Sequence, residues 1–301
     1  MIDRIHEYGY AKINLCLDVI KKNEDGYHEV CMIMQELKLC DEIILSRINN
    51  GIELKIKDER GTVSDELSEV PCDERNIAYK AAKLLMDEYG IREGVSIDLT
   101  KRIPAAAGLA GGSTDAAAVL RGMNSLFELN IDKEELCRIG KKLGADIPFC
   151  IIGGTCLAEG IGEKLSTLEG MPVLNILLVK PKRGVSTKAV YEGLNINKRK
   201  KGEHPDTISC YEAIKNGKFD KLVQNMGNIL ELVTTEYVTE IKDIESKMQE
   251  YGAVKAMMSG SGPTVFAIFR DKESMHKAFK EFSRAEWREI VSDVVETETK
   301  S

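Results

Sequence analysis

An α+β fold is predicted for this 301-residue chain, because segments of two-residue and 3.6-residue apolar period are mixed along it without a strict strand–helix–strand beat. A glycine-rich turn, Ala107 to Gly112, joins a strand to a helix. Glycines and charged residues cluster between Glu159 and Pro172, which divides the chain into an N-terminal domain, 1–163, and a C-terminal domain, 164–301.

The elements follow in order. Ile13, Leu15, Leu17 and Val19 alternate with Lys12, Asn14, Cys16 and Asp18, so a strand is expected with one apolar face and with Lys12 and Asn14 side by side on the other. Asp25-Gly26-Tyr27-His28 is a turn signal after it. Strands are expected near 33–39, 42–45 and 52–56, and the polar stretch 57–75 reads as a loop. Helical spacing begins at Ile77 and stops at Gly90. A strand at 95–99 leads into the glycine turn, after which Ser113 or Thr114 can cap a helix reaching Leu126. Asp132 with Glu135 starts a further helix that stops at Gly144. The second half predicts a strand at 174–179, a helix after Ser186-Thr187, helices between Thr207 and Tyr251, strands at 254–258 and 265–269, a helix at 272–282 and a last strand at 290–295. The polar tail 296–301 reads as frayed.

Composition narrows the function classes. Hydrophobic residues make up 43% and charged residues 30%, the profile of a globular protein. A formal net charge of −7 argues against broad nucleic-acid or membrane-surface binding, which needs a positive field. The first twelve residues carry no apolar core segment, and no stretch approaches membrane-spanning length, so a cytoplasmic protein is expected. The eight cysteines form no C-x-x-C pair and read as free thiols; the four histidines lack metal-ligand spacing.

Pro104-Ala105-Ala106-Ala107-Gly108-Leu109-Ala110-Gly111-Gly112-Ser113-Thr114-Asp115 carries the most chemistry. Glycines and small residues between a strand and a helix let backbone N–H groups approach a ligand, and the helix start offers unpaired donors and a positive dipole end to a phosphate. An ordinary glycine-rich turn is the alternative. A Walker A loop is excluded because no lysine follows the glycines, and Gly108, Gly111 and Gly112 do not make the dinucleotide G-x-G-x-x-G.

The segment Pro104 to Ala118 resembles the phosphate motif P-x-x-x-G-L-G/A-G-S/G-S/T-x-A-A of the galactokinase, homoserine kinase and mevalonate kinase (GHMP) superfamily. Ala11-Lys12-Ile13-Asn14-Leu15 resembles that superfamily's first motif, and Met258-Ser259-Gly260-Ser261-Gly262-Pro263-Thr264-Val265 its third. Asp25-Gly26-Tyr27-His28, Gly144-Ala145-Asp146-Ile147-Pro148-Phe149 and Gly184-Val185-Ser186-Thr187 are similar to the branch that phosphorylates a cytidine diphosphate-linked methylerythritol in the non-mevalonate isoprenoid pathway.

The resemblance implies a two-domain α+β fold, with an N-terminal domain like ribosomal protein S5 domain 2, a ferredoxin-like C-terminal domain and the active site between them. It implies ATP and Mg²⁺ as cosubstrate and metal, with no metal ligands identified. Asp146 would be the catalytic carboxylate with Lys12 beside the accepting hydroxyl, and Asn14 would touch the substrate there. Tyr27 and Tyr191 would stack on the two faces of the cytosine and His28 would bond its edge, with Thr187 near the transfer site. Asn76 and Lys101 would lie near the adenine, and Gly108 to Thr114 would wrap the phosphates. Tyr191 stands where some members have Phe, and Asp115 where others have Asn, an added negative charge beside the phosphate helix.

A hydroxyl loses its proton as it attacks the γ-phosphate, so a carboxylate in reach is the expected helper. Without the resemblance, Asp146 reads as a capping or turn residue, Lys12 as an exposed strand lysine, and Tyr27 and His28 as turn residues. The partner expected is a small molecule, with the chain a monomer or homodimer. Another kinase of the superfamily, or a catalytically silent nucleotide-binding module on the same fold, stands as the alternative.

Overall fold

Alternation of apolar and polar residues through the first fifty positions builds long strands. A computed structural model describes residues 2–24, 26–60, 70–196 and 201–300. Strands β1 (Arg4–Lys22) and β2 (His28–Ile48) form an antiparallel hairpin. β2 is one strand where the sequence predicted two: Asp41 and Cys40 pair with Gly9 and Tyr10 of β1, and the pairing resumes at Glu36 after a register shift between Tyr10 and Lys12. Of the expected turn, Asp25 lies outside the described residues, as do 61–69 of the expected loop.

β3 (Ile52–Asp58), α1 (Ile77–Tyr89), β4 (Gly94–Lys101), α2 (Gly111–Leu126), α3 (Lys133–Lys141), α4 (Ile147–Ile152), β5 (Thr155–Glu159) and β6 (Lys164–Leu168) complete this half. The far edge of β2 is shared: its C-terminal half pairs with β4, which runs parallel to β3, and its N-terminal half pairs with β5, which pairs with β6. Asn76 caps α1 by accepting the Ala78 N–H at 2.8 Å, and Gly90 ends it in the left-handed region at φ 63°. Asp132 caps α3 through the Glu135 N–H, but that helix ends at Lys141, ahead of Gly144. The hydroxyl cap expected for α2 is absent. Its glycines are already helical, so the helix starts after left-handed Ala110, and Thr114 instead donates its hydroxyl to the Gly111 carbonyl at 2.9 Å.

The second half runs β7 (Asn175–Pro181), α5 (Thr187–Gly193), α6 (Thr207–Lys215), α7 (Phe219–Asn225), β8 (Gly227–Asn228), α8 (Glu231–Tyr237), α9 (Glu240–Glu250), β9 (Lys255–Met258), β10 (Val265–Phe269), α10 (Lys272–Phe282) and β11 (Val291–Glu298). Its four-stranded antiparallel sheet has the order β11-β7-β10-β9, the ferredoxin-like arrangement. β8 leaves this half and pairs parallel with β1, the edge of the larger sheet.

The two sheets meet through period-two faces. Ile176 and Leu178 of β7, with Phe266 and Ile268 of β10, join Ile13, Leu15, Ile33 and Leu37 in one buried cluster. The intervening Leu177, Val179, Val265 and Ala267 turn to the helix side. β1 does not keep the single apolar face that its spacing predicted. A register shift between Asn14 and Cys16 reverses the alternation, so Ile13 and Leu15 face the other sheet while Leu17 and Val19 face the helices.

The expected frayed tail is docked. Thr299 is buried, its N–H donates to the Leu174 carbonyl at 3.1 Å, and the Lys300 N–H donates to Glu36 at 2.9 Å. The unpaired edge groups of β2 hold these polar residues in place, a partner that local sequence cannot reveal. All eight cysteines are free thiols, and no helix among the described residues is long and apolar enough to cross a membrane.

Candidate active site

A cavity of about 1080 Å³ is bounded by β1, the tip of the β1–β2 hairpin, the loop before α2, the start of α4, and α5. Its position follows from how β1 is interrupted. The strand breaks register with β2 between Tyr10 and Lys12, and the Lys12 N–H donates at 3.1 Å to Leu109 of the glycine-rich loop instead. The strand thereby carries Lys12 and Asn14 into the cavity, buried to 4% and 1% exposure. The Lys12 ammonium donates to Asn14 Oδ1 at 2.8 Å, and Asn14 Nδ2 rests on Met32 Sδ at 3.2 Å. A buried ammonium needs a carboxylate close by. It has one in Asp146, 3.8 Å from Lys12 Nζ.

Asp146 stands at the first position before α4, yet its side chain makes no capping bond. Its carboxylate is therefore left to face Lys12 and the cavity, and the capping role does not explain it.

The glycine-rich loop is held from three sides. Gly108 adopts φ +72°, and a Cβ there would stand 2.1 Å from the Ser259 carbonyl, so only glycine fits. Ser259 Oγ donates back to the Gly108 carbonyl at 3.1 Å. The loop 259–263 between β9 and β10 is itself fixed by buried Asn228, whose Nδ2 donates to Met258 at 3.0 Å and to Gly260 at 2.7 Å. Beneath the loop lies an ion triad. Buried Lys101 bonds both Asp41 and, at 2.6 Å, Asp115 of α2. Asp41 also accepts the N–H groups of Arg102 and Ile103, so the triad ties the end of β4 to the first turns of α2. Burial disfavours the Lys101 ammonium, but Asp115 and Asp41 together outweigh it and hold it above its ordinary range. Burial also pushes the Asp115 carboxyl well up, with Lys101 pulling against it and Asp41 adding to it.

At the far end, the His28 ring packs on Tyr191 of α5, centroids 5.2 Å apart, while Tyr27 is 60% exposed beside them. Burial, then the Lys22 ammonium, pulls the His28 imidazole down. Burial and the Asp146 carboxylate push the Tyr191 phenol up. Thr187, one turn earlier on α5, shares a 2.8 Å hydrogen bond with Ser261.

The sequence-derived candidates Lys12, Asn14, Tyr27, His28, Asn76, Lys101, Asp146, Thr187 and Tyr191 all line this cavity, together with Pro104, Ala105, Ala106, Ala107, Gly108, Ala110, Gly111, Gly112 and Ser113. Leu109 and Thr114 do not: both are fully buried, Leu109 in the inter-sheet cluster and Thr114 against Gly9. Sequence reasoning missed Asp41 and Asn228, since neither lies in a motif and both act through long-range bonds. Among the described residues no group of three His, Cys, Asp or Glu side chains could hold a metal ion. Ser113 and Asp146 are oxygen donors lining the cavity, and one or two such protein oxygens beside substrate phosphates are the kind of ligands Mg²⁺ takes.

Comparison with known proteins agrees with this architecture. The family described as GHMP kinases N terminal domain matches residues 76–154, and GHMP kinases C terminal matches 210–289. The chain is 48% identical over 286 residues to the 4-diphosphocytidyl-2-C-methyl-D-erythritol kinase of Acetivibrio thermocellus, covering 95% of this chain and 97% of that protein. It is 47% identical over 275 residues to the kinase of the same name from Clostridium acetobutylicum, covering 91% and 94%. Among solved structures it is similar to a 4-(cytidine 5'-diphospho)-2C-methyl-D-erythritol kinase at 28% identity and a TM-score of 0.80, covering 99% of this chain and 100% of that one. A homoserine kinase from Cytophaga hutchinsonii, at 20% identity and a TM-score of 0.73 over 99% and 95%, shares the fold. The chain has the two-domain GHMP kinase fold and belongs to the 4-diphosphocytidyl-2-C-methyl-D-erythritol kinase family.

Proposed function

We propose that this chain transfers the γ-phosphate of ATP to the 2-hydroxyl of 4-diphosphocytidyl-2-C-methyl-D-erythritol, a step towards isoprenoid precursors by the non-mevalonate route. Family membership supports the substrate. The observation that carries the chemistry is the Lys12–Asp146 pair at 3.8 Å, placed in one cavity with the glycine-rich loop and the His28–Tyr191 corner.

On this reading the acceptor hydroxyl lies against the Asp146 carboxylate, which takes its hydrogen bond and orients the oxygen for in-line attack. Lys12, fixed by Asn14, faces the phosphoryl group as charge moves onto its oxygens. The Gly108–Ser113 backbone and the start of α2 receive the nucleotide phosphates. Mg²⁺ carried by those phosphates would be held by Ser113 and Asp146, where it neutralises phosphate charge. Tyr27, His28 and Tyr191 receive the cytosine, and Asn76 and Lys101 border the adenine end. Positioning and electrostatics do the work, with no covalent enzyme intermediate.

An ADP-release assay with ATP and Mg²⁺, offering the cytidine diphosphate alcohol, homoserine and mevalonate in parallel, tests the reading. Turnover with the cytidine compound alone is expected. Turnover with either of the others, or none from folded protein, overturns it.

A further inference from the structure

The proposed reaction brings two polyanions into one cavity of an acidic protein, and the cavity must balance them. The cations lining it are Lys12, Lys22, Arg75, Lys101 and Lys188. Three are already engaged. Lys12 holds Asn14 and faces Asp146, Lys101 sits between Asp41 and Asp115, and Arg75 forks onto Asp73 at 2.9 and 2.7 Å. Lys22 has no ion-pair partner among the described residues, and Lys188 reaches only Glu192, 3.9 Å away on the next turn.

Both are aimed at the same corner. Strand alternation sends adjacent Lys21 and Lys22 to opposite faces. Lys21 pairs with Glu29 at 3.0 Å, whereas Lys22 lies directly opposite His28 in the hairpin register and shares its face. Lys188 precedes Tyr191 by three positions on α5, which puts them on neighbouring stations of one helix face. Tyr191 packs on His28, and the neighbour of Lys188, Thr187, holds Ser261. Both lysines thus line the same cavity as the aromatic corner and the Lys12–Asp146 pair.

We infer that Lys22 and Lys188 recognise the diphosphate of a nucleoside diphosphate-linked substrate, and so select that substrate over its free alcohol. This rests on the reading proposed above and deepens it. Neither lysine takes part in bond making; each supplies a point charge on a flexible stem that a diphosphate can draw inward.

Calorimetric titration of the intact protein with cytidine and with cytidine diphosphate tests the inference apart from catalysis. Wild type is expected to bind the diphosphate at least about tenfold tighter, a gap of about 1.4 kcal/mol. Lys22→Gln and Lys188→Gln should each narrow that gap several-fold and the double variant should close most of it, with cytidine affinity unchanged. Lys21→Gln, whose ammonium is paired with Glu29, is the control and should match wild type. A double variant that keeps the wild-type ratio, or that loses ATP affinity as much as cytidine diphosphate affinity, overturns the assignment. Wild type that binds cytidine but prefers its diphosphate no better overturns this inference alone. Wild type that binds neither removes the cytidine reading along with it.

Discussion

Ser259 donates its hydroxyl to the carbonyl of Gly108 at 3.1 Å, which latches the loop between β9 and β10 onto the glycine-rich loop 151 residues earlier. The two motifs that read separately in sequence are one structure. Gly260 completes it, its Cβ position lying 3.1 Å from the Gly108 carbonyl and 3.3 Å from Lys12 Nζ. The glycines thus bring two backbones within contact of each other and of Lys12.

Gly108→Ala should break that latch. The new methyl collides with the Ser259 carbonyl, and a positive φ strains any L side chain by about 1–3 kcal/mol before the clash is counted. A lowered melting temperature and an ATP KM raised at least tenfold are expected. Melting and kinetics like wild type would show that the loops can separate without consequence.

On the proposed reading, Asp146→Ala should cut turnover by about 10²–10⁴ while most nucleotide binding persists, because the glycine-rich loop and the start of α2, which would receive the ATP phosphates, are left intact. Single-turnover rates together with ATP titration check this. Retained turnover would remove Asp146 from the chemistry.

The Asp41–Lys101–Asp115 triad predicts unequal costs for its members. Lys101→Met strands two buried carboxylates and should destabilise the fold by about 3–5 kcal/mol. Asp115→Asn keeps the Lys101–Asp41 pair and removes an oxygen, Oδ1, that has no hydrogen-bond partner, so it should cost under about 1 kcal/mol or stabilise. Urea unfolding of both variants decides; equal losses would refute the charge argument.

Glu245 predicts a pH dependence. Its carboxyl shares the Lys242 ammonium with Glu231, and burial together with Glu231 pushes it up to about 8. A carboxyl raised in the folded state binds more protons there than when unfolded, so its contribution is full below about pH 4 and declines as pH rises to about 8. Glu245→Gln should flatten this part of the stability profile and be the more stable form at pH 8. Urea midpoints from pH 5 to 8.5 measure it, and parallel profiles for the two proteins would count against the assignment.

Tyr191→Ala should raise the KM for the cytidine substrate by at least tenfold and leave that for ATP within about threefold, since one aromatic–base stack contributes roughly 1–3 kcal/mol. Tyr191→Phe keeps the ring and should restore most of the loss. Equal effects on both substrates would move Tyr191 out of the cytosine corner.

Much of the site was legible in residue order. The glycine segment 108–112, the Lys12–Asn14 pair and Asp146 each carry local signals, because a phosphate loop needs glycine and a strand face needs period two. The α3 cap at Asp132 was readable for the same reason: its hydrogen bond closes within three residues. Their place in the motif makes Leu109 and Thr114 expected phosphate contacts. Burial instead assigns their side chains to packing.

By itself, the sequence determined the α+β class, the chemistry of the loops and the identity of the polar residues, since propensity, glycine content and apolar period are properties of short segments. Tertiary structure alone decided that β1 reverses its faces at the register shift after Asn14, that Asp41 and Asp115 share Lys101, that Asn228 holds the Gly260 loop, and that the tail at Thr299 docks on β2. These are partnerships between residues tens to hundreds of positions apart. Each exists because a buried donor, acceptor or charge must find its complement in space, whatever its place along the chain.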